Sequence, residues 1–446
     1  MIKNIIIPVE TNARELKSRL FVASFFLKEG HNVFIGPSSI LHKHIYKFPA
    51  GLILENDVTT QNYAFLSKAK NLGFKVAAWD EESISVVSDA WYVSQRVNID
   101  SMNKLDIFFT RSLQDKIEIE KRFSKISTKI IPAGNPRIDI LTNSFRSEVY
   151  DKNGPLVVMS RFSRSNPMSS REIVLNNVIR KFNLKGANKI FYEEYIDHCH
   201  QIYEKFIFMV SRLIKNFQSQ KIIIRPHPSE NFKTWKKLSK SHSNVLVDFS
   251  GTAEEISERA SAVIHNGCTT GLEAALLGIP VYSYMPIKSD KYDIPLPNKV
   301  SKCYEEMESM FKDIRELKNR KISRKDLSNK TWTILKDGWI GDKTNKLSSK
   351  IIYDHCSKLE LKNNLFFIIR PLLKVFYLLN NFRISIRLFF SRKKRVVSKK
   401  ESLRYHLQKN PPIEKYQIHN YLQSFSRDNF IIKEKFNGWW EIKNKK

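Results

Sequence analysis

The segment VIHNGCTTGLEAALLGIPV, from Val263 to Val281, constrains this chain more than any other. An apolar run passes through a Gly/Thr turn directly into an apolar helix, which Gly278 stops before a second apolar run. That order is one strand–helix–strand unit of a parallel sheet. A helix entered in this way leaves its first backbone N–H groups without intrahelical partners, and Thr269 and Thr270 set hydroxyls beside them. Partial positive charge at the helix N-terminus makes the turn a candidate phosphate cradle. Glu273, on the first helical turn, suits the dipole or the two hydroxyls of a ribose. His265, Asn266 and Gly267 lead into the turn. His265 and Asn266 are positioned for a phosphate or sugar, with a core histidine as the alternative for His265. The bland reading of the whole segment is an ordinary strand–turn–helix with a threonine cap.

A second motif, IIIRPHPS (Ile222–Ser229), ends another apolar run with Arg225, His227 and Pro228. Around the two motifs, strand and helix patterns alternate along most of the chain. In the first part, strands are expected at Ile5–Pro8, Asn32–Ile35, Gly51–Leu54, Lys75–Ala78, Ile107–Thr110 and Lys129–Pro132. Helices are expected at Ala13–Lys28, Asn62–Asn71 and Gln114–Phe123. Residues 141–155, rich in Asn, Ser, Asp, Gly and Pro, read as a linker. A second set follows, with strands at Leu156–Met159, Lys221–Ile224 and Val245–Asp248. Its helices are Glu193–Phe217, Ala253–Ala260 and, as the last of the domain, Tyr304–Asn319. The expected fold class is α/β of the GT-B kind: two Rossmann-like domains facing across a cleft, over residues 1–145 and 155–345, with a basic and mostly helical tail over 346–446. Ligands of such sheets bind outside the carboxyl ends of the strands, which here means the cleft. At 446 residues the chain is long enough for two such cores and an appendage.

Composition removes several classes. The four cysteines, Cys199, Cys268, Cys303 and Cys356, are scattered with no CxxC pair, against a disulfide framework or zinc cluster. The first residues read as a strand and are too short for a signal peptide, so a cytoplasmic protein is expected. The net charge of +30 attracts polyanions. No helix-turn-helix, RRM, KH or zinc-finger pattern accompanies it, so nucleic acid is not the expected partner.

Chemistry is expected where the first domain meets the cleft. Asp80, Glu81 and Glu82 end an apolar strand, and adjacent carboxylates repel, which raises the pKa of one of them and suits a general base. Solvated strand-end caps are the alternative. This cluster and the His227-Pro228 pair resemble the paired D/E-D/E-G and H-P motifs of bacterial sialyltransferases, with Ser83 in place of the glycine. That resemblance implies an acid/base carboxylate in the first motif and binding of the donor's CMP by the second. The opening IIPVETNARELKSR (Ile6–Arg19) and the GNPRID turn (Gly134–Asp139) extend the likeness. Over residues 1 to about 350 the chain resembles the surface carbohydrate biosynthesis family of bacterial capsule and O-antigen loci, itself related to Kdo transferases.

What the resemblance implies is a glycosyltransferase that moves an ulosonic acid, Kdo or a sialic-type sugar, from its CMP-activated donor to a lipid-linked or oligosaccharide acceptor. Such a donor carries a carboxylate and a phosphate, so its site needs cations. Arg14, Arg19, Arg161, Arg164 and Arg225 are candidates, arginine being suited to bidentate carboxylate binding. Glu10, Asn135 and Arg137 complete the expected substrate-side set. No Asp-x-Asp lies where a metal would be expected, so no cofactor is expected beyond the CMP-sugar itself. Retaining Kdo transferases, which the chain resembles, carry a nucleophilic aspartate near the first strand of the second domain. The stretch Val158–Asn166 there has no acid, so the resemblance implies inversion, with Asp80 or Glu81 deprotonating the acceptor. A CDP-polyol phosphotransferase, a UDP-sugar enzyme and a non-catalytic, membrane-docked assembly protein are the alternatives.

The tail reads differently. Leu365–Lys400 holds ten Lys/Arg and no acid among many aromatic and aliphatic residues. Charges at ~2.5–3.5 kcal/mol each in a bilayer centre disfavour a spanning helix. Basic amphipathic helices on an anionic membrane surface are expected, at the inner face of the cytoplasmic membrane. The alternative is a cross-over helix packed on the first domain.

Overall fold

The computed structural model describes residues 2–84, 86–142, 149–181, 184–248, 250–336, 347–361, 411–436 and 438–445, with isolated positions between 371 and 379. Apolar β-branched runs form the strands β1 (Asn4–Val9), β2 (Asn32–Pro37), β3 (Leu52–Glu55), β4 (Lys75–Trp79), β5 (Ile107–Thr110) and β6 (Lys129–Pro132). They pair in parallel in the order β2-β1-β3-β4-β5-β6. A second parallel sheet comprises β7 (Leu156–Met159), β8 (Ile222–Arg225), β9 (Val245–Val247), β10 (Ala262–His265), β11 (Val281–Tyr284) and β12 (Lys302–Tyr304). Its order, β12-β11-β10-β7-β8-β9, is that of a Rossmann fold, with the order reversing between β7 and β10. In the first sheet the reversal falls between β1 and β3. Most of these strands are buried on both faces, as helices on both sides of a parallel sheet require. The expected GT-B class, two Rossmann-like units with helices on both faces, is the observed architecture.

Among the described residues, the C-terminal segments of the expected 346–446 tail pack on the first half. The hairpin β13 (Phe430–Glu434) and β14 (Trp440–Asn444) adds to the free edge of the first sheet, β14 lying antiparallel to β2 with Ile442 opposite Val33. Trp439 is fully buried there, its ring against Gly36, where a Cβ would meet the indole at 2.5 Å. Helices Ser348–Cys356 and Lys415–Phe425 pack on Asn12–Lys28, and Ile352, Ile418 and Leu422 join the core beneath it. The physical reason is the unpaired apolar edge of β2, which alternating Ile432, Trp440 and Ile442 can cover. The basic segment Leu365–Lys400 falls outside the described residues apart from a few positions. Among the described residues, no helix is long and apolar enough to cross a membrane.

Other differences are local. Tyr304–Asn319 does not close the second domain, because helix Arg324–Lys336 follows and packs on Thr269–Leu276, with Ser328 Oγ donating to Leu276 O at 2.6 Å. The long helix begins earlier than expected, at Gly186, and runs to Asn216. Helix Asp89–Arg96 was not legible in the apolar pattern, and it matters below.

The halves meet over an apolar cluster in which Phe21, Ile84, Ile138 and Leu141 of the first touch Val263, Leu272 and Ala275 of the second. Helix Pro136–Thr142 sits in this seam, against both Asn12–Lys28 and Thr269–Leu276.

Candidate active site

A cleft of about 1270 Å³, including its open mouth, lies between the carboxyl ends of the two sheets. From the first half it is lined by Thr11, Arg14, Lys17, Glu81, Glu82 and Arg137, and from the second by Ser160, Arg225, His227, Pro228, Glu254, Cys268, Thr269, Thr270 and Glu273.

The three adjacent carboxylates at the end of β4 meet three different fates. Asp80 is buried and held in a two-pronged ion pair by Arg96, with Nε at 2.6 Å from Oδ2 and Nη2 at 2.9 Å from Oδ1. Its Oδ1 also accepts from the Glu82 N–H at 2.8 Å. It does not line the cleft, so the structure corrects its expected role as a base: Asp80 shapes the loop. Glu82 pairs with Arg14, whose guanidinium holds that carboxyl well below the usual carboxylate range. Glu81 is different. It is 2% exposed, its Oε1 accepts from Trp79 Nε1 at 2.8 Å and lies 3.3 Å from Arg19, and its Oε2 has no hydrogen-bond partner among the described residues. Burial pushes the Glu81 carboxyl up against the pull of Arg19. A buried carboxyl facing a cleft with a raised pKa and an unused oxygen is what a general base needs.

Arg19 is fully buried, stacked 4.1 Å from the Trp79 ring and donating to Leu54 O at 2.8 Å. It is not a substrate clamp, as the sequence reading had it; it positions Glu81. Glu10 also stands outside the lining, its backbone N–H donating to Glu15 at 2.9 Å. In the GNPRID turn, the Asn135 side chain accepts from the Arg137 N–H at 3.0 Å and starts the helix, so Asn135 acts on the backbone and does not face the cleft. Arg137 lines the cleft and pairs with Glu273 of the other half. Asp139 accepts from the N–H groups of Ser348 and Ser349, at 3.0 and 2.7 Å, capping the helix that returns to the first half.

In the second half, Arg225 is pinned by the carbonyls of Ser250 and Gly251, at 2.9 and 2.8 Å. His227 lies at the cleft surface, with Nδ1 accepting from the Ser229 N–H at 3.1 Å, which places the proton of the neutral ring on Nε2. Its backbone N–H donates to Glu230 at 3.2 Å. Glu230, which the sequence reading missed, is fully buried and also accepts from Ser160, Phe162 and Trp235. A glutamate directly after the RPHPS run was the available signal. Helix Thr269–Leu276 begins at Cys268 with no side-chain cap bond, so its first N–H groups open toward the cleft beside Thr269 and Thr270.

His265 is a core residue, and its expected contact with phosphate or sugar is corrected. It is 0% exposed, sits 2.9 Å from Ser301 Oγ, and burial pulls its pKa down to about 3. Gly271 is required above it, because a Cβ there would come within 2.3 Å of the imidazole. Asn266 is likewise turned inward, donating to Tyr284 O at 2.8 Å and accepting from Arg161 Nη2 at 2.7 Å. Gly267 takes φ of +51°, the left-handed conformation this turn demands. Neither Arg161 nor Arg164 lines the cleft; Arg164 donates to the Tyr192 hydroxyl at 2.7 Å. Lys17 and Glu254, absent from the sequence reading, bridge the two halves at 2.5 Å.

No family model matches the chain. No curated protein matches it either. Solved structures of similar arrangement include the UDP-GlcNAc 2-epimerase of Neisseria meningitidis bound to UDP-GlcNAc, at 13% identity and TM-score 0.47, covering 80% of this chain and 100% of that one. The wall teichoic acid polymerase TagF gives 10% identity and TM-score 0.48, covering 80% and 88%. MnaA of S. aureus with UDP gives 12% and 0.46, covering 79% and 96%. The two-domain arrangement described above stands on the chain's own strand order and register.

Proposed function

We propose that this chain is a GT-B glycosyltransferase that moves an acidic, ulosonic-type sugar from CMP to a glycan acceptor, with inversion. The observation that carries the reading is Glu81: a buried carboxyl at the cleft floor, raised in pKa, with one oxygen unused. In the proposed step Glu81 takes the proton of the acceptor hydroxyl as that oxygen attacks the anomeric carbon. The bond to CMP breaks, and the electron pair leaves on the phosphate.

Support for a nucleotide leaving group comes from the opposite wall. The uncapped helix start at Thr269 and Thr270 offers N–H donors to a phosphate, and His227 offers Nε2–H. Support for an acidic sugar comes from the cations of the lining, Arg14, Lys17, Arg137 and Arg225. The first three now face Glu82, Glu254 and Glu273, carboxylates that a donor's own anionic groups would replace. The family resemblance of the sequence motifs points to CMP over other nucleotides.

The test is ligand-induced thermal stabilisation. CMP should raise Tm, and UDP, UMP and CDP should not. Stabilisation by UDP or CDP alone would remove the CMP assignment in favour of a UDP-sugar or CDP-polyol enzyme. No shift with any nucleotide would favour a non-catalytic scaffold. The composition of Leu365–Lys400 supports docking on an anionic membrane where a lipid-linked acceptor resides. Full-length protein that fails to bind anionic liposomes at low salt would remove that part.

A further inference from the structure

Outside the lining of the cleft lies a second concavity that both halves build. Trp91 and Gln95 of helix Asp89–Arg96 line it from the first half. Asn188, Phe191 and Tyr192, on the first turns of the long helix, and Lys291 line it from the second. Both walls hang from elements that form the catalytic cleft. Helix Asp89–Arg96 carries Arg96, which holds Asp80 immediately before Glu81. The long helix is tied through the Tyr195 hydroxyl to Arg161, 3.4 Å away, and Arg161 in turn grips Asn266 at the turn leading to Thr269. The concavity is therefore fixed relative to the base on one side and the phosphate cradle on the other.

Its chemistry is amphipathic and close to neutral. Phe191 packs tilted against Tyr292, with centroids 5.3 Å apart, and Tyr192 against Tyr195 at 6.3 Å, while Lys291 Nζ lies 5.5 Å from the Phe191 ring centroid. The nearby charges cancel: Lys291 Nζ lies 2.6 Å from Glu194. Gln95 and Asn188 add amides that both donate and accept. Among the described lining residues the one cation, Lys291, is paired with Glu194, so a phosphate finds no uncompensated charge, and the amides of Gln95 and Asn188 interrupt the apolar Leu184, Ala187 and Ile190. A pyranose ring, with an apolar C–H face and a rim of hydroxyls, meets both kinds of surface at once.

We propose that this slot, with Trp91 and Phe191 as its aromatic walls, is an acceptor subsite that stacks a sugar unit of the growing glycan. The inference rests on the glycosyltransferase reading and names where its acceptor lies. The acceptor then reaches Glu81 from the side of helix Asp89–Arg96, while the donor nucleotide occupies the other side.

The experiment applies the labelled full-length chain, without nucleotide, to an array of neutral and acidic oligosaccharides two to six sugars long. Wild type should retain a defined subset. Trp91→Ala and Phe191→Ala should each weaken that binding at least tenfold, while Trp91→Phe, which keeps an aromatic face, should stay within threefold of wild type. Circular dichroism melts of all three variants separate loss of binding from loss of fold. Binding unchanged in both alanine variants, or no oligosaccharide retained by wild type, overturns the proposal. Failure of the donor reading has a different signature: no nucleotide shifts Tm, yet glycan binding and its loss in the variants persist.

Discussion

The two strand ends that face each other across the cleft are built on opposite plans. At the end of β4 an acidic loop, Asp80-Glu81-Glu82, is organised by buried or half-buried arginines: Arg96 under Asp80, Arg19 under Glu81, Arg14 beside Glu82. At the end of β8 a basic turn, Arg225-Pro-His227-Pro228, is organised by one buried glutamate, Glu230, which gathers the Ser160, Phe162, His227 and Trp235 donors. In each case a buried charge of the opposite sign fixes the loop, which is how a low-dielectric site holds charges in place. The difference is what remains available. The acidic loop leaves one oxygen of Glu81 unused among the described residues, and the basic side sets the first backbone donors of helix Thr269–Leu276 beside the cleft. One wall can take a proton and the other can hold an anion. The halves also differ in assembly: the second is built from the contiguous residues 156–336, while the first needs the last strands of the chain.

The largest expected effect tests that difference in assembly. Ending the chain at residue 410 removes β13, β14 and helix Lys415–Phe425, with the buried Trp439, Trp440, Ile442, Ile418 and Leu422. Each such side chain contributes about 1.5–3 kcal/mol of burial, so together they match or exceed the net stability of an ordinary domain. The truncated protein should lose its cooperative melt. A truncated chain that melts as wild type would make the hairpin dispensable.

Next, Glu81→Gln should lower kcat by about 10²–10⁴ while leaving nucleotide stabilisation intact. In the wild type, kcat/KM should fall as pH drops through the raised pKa of Glu81, because the base is then protonated. Turnover near wild type in Glu81→Gln would mean that the acidic loop is wholly structural. Asp80→Asn should behave in the opposite way: about 2–3 kcal/mol of stability lost in urea titration, since Arg96 loses its partner, with a smaller effect on kcat than Glu81→Gln. If Asp80→Asn instead abolished turnover in a fully stable protein, the roles of the two acids would be exchanged.

On the basic side, His227→Ala should remove the CMP-induced stabilisation, about 2.7 kcal/mol at a hundredfold excess over Kd and read as a rise in Tm, without altering the melt of the free protein. A persistent shift would transfer phosphate binding to the helix start alone. An effect of comparable size concerns His265. Its folded pKa of about 3 lies below the unfolded value, so the unfolded chain binds the proton first and stability falls as pH drops below about 6.5. The loss approaches about 1.4 kcal/mol per pH unit, and His265→Gln should flatten the urea midpoint between pH 6.5 and 4.5. An equally steep acid limb in the variant would assign that loss to other groups.

Nearly every strand of the two parallel sheets was legible from apolar β-branched runs bounded by turn residues, because burial on both faces leaves that pattern in the residues themselves. The same holds for the helix start at Thr269 and the turn at His227, where local backbone chemistry decides the structure. The C-terminal hairpin was hidden because its partner, β2, is more than 400 residues earlier in the chain, and an edge strand is defined by what lies beside it. Among the acids, sequence placed Asp80, Glu81 and Glu82 at one strand end but could not rank them. Their ranking depends on Arg14, Arg19 and Arg96, two on the first helix and one on Asp89–Arg96, brought together only when the sheet closes. Arg19, Arg161 and Arg164 looked like substrate ligands for the same reason: an arginine's charge is written in the sequence, but whether it meets a ligand, a carboxylate or an aromatic face is fixed by the neighbours that folding supplies. The sequence by itself determined two Rossmann-like units and the strand ends that matter, since periodicity and turn chemistry are local. Tertiary structure alone decided which carboxylate keeps an unused oxygen and which chain end completes the first sheet, because both depend on contacts between residues far apart in the chain.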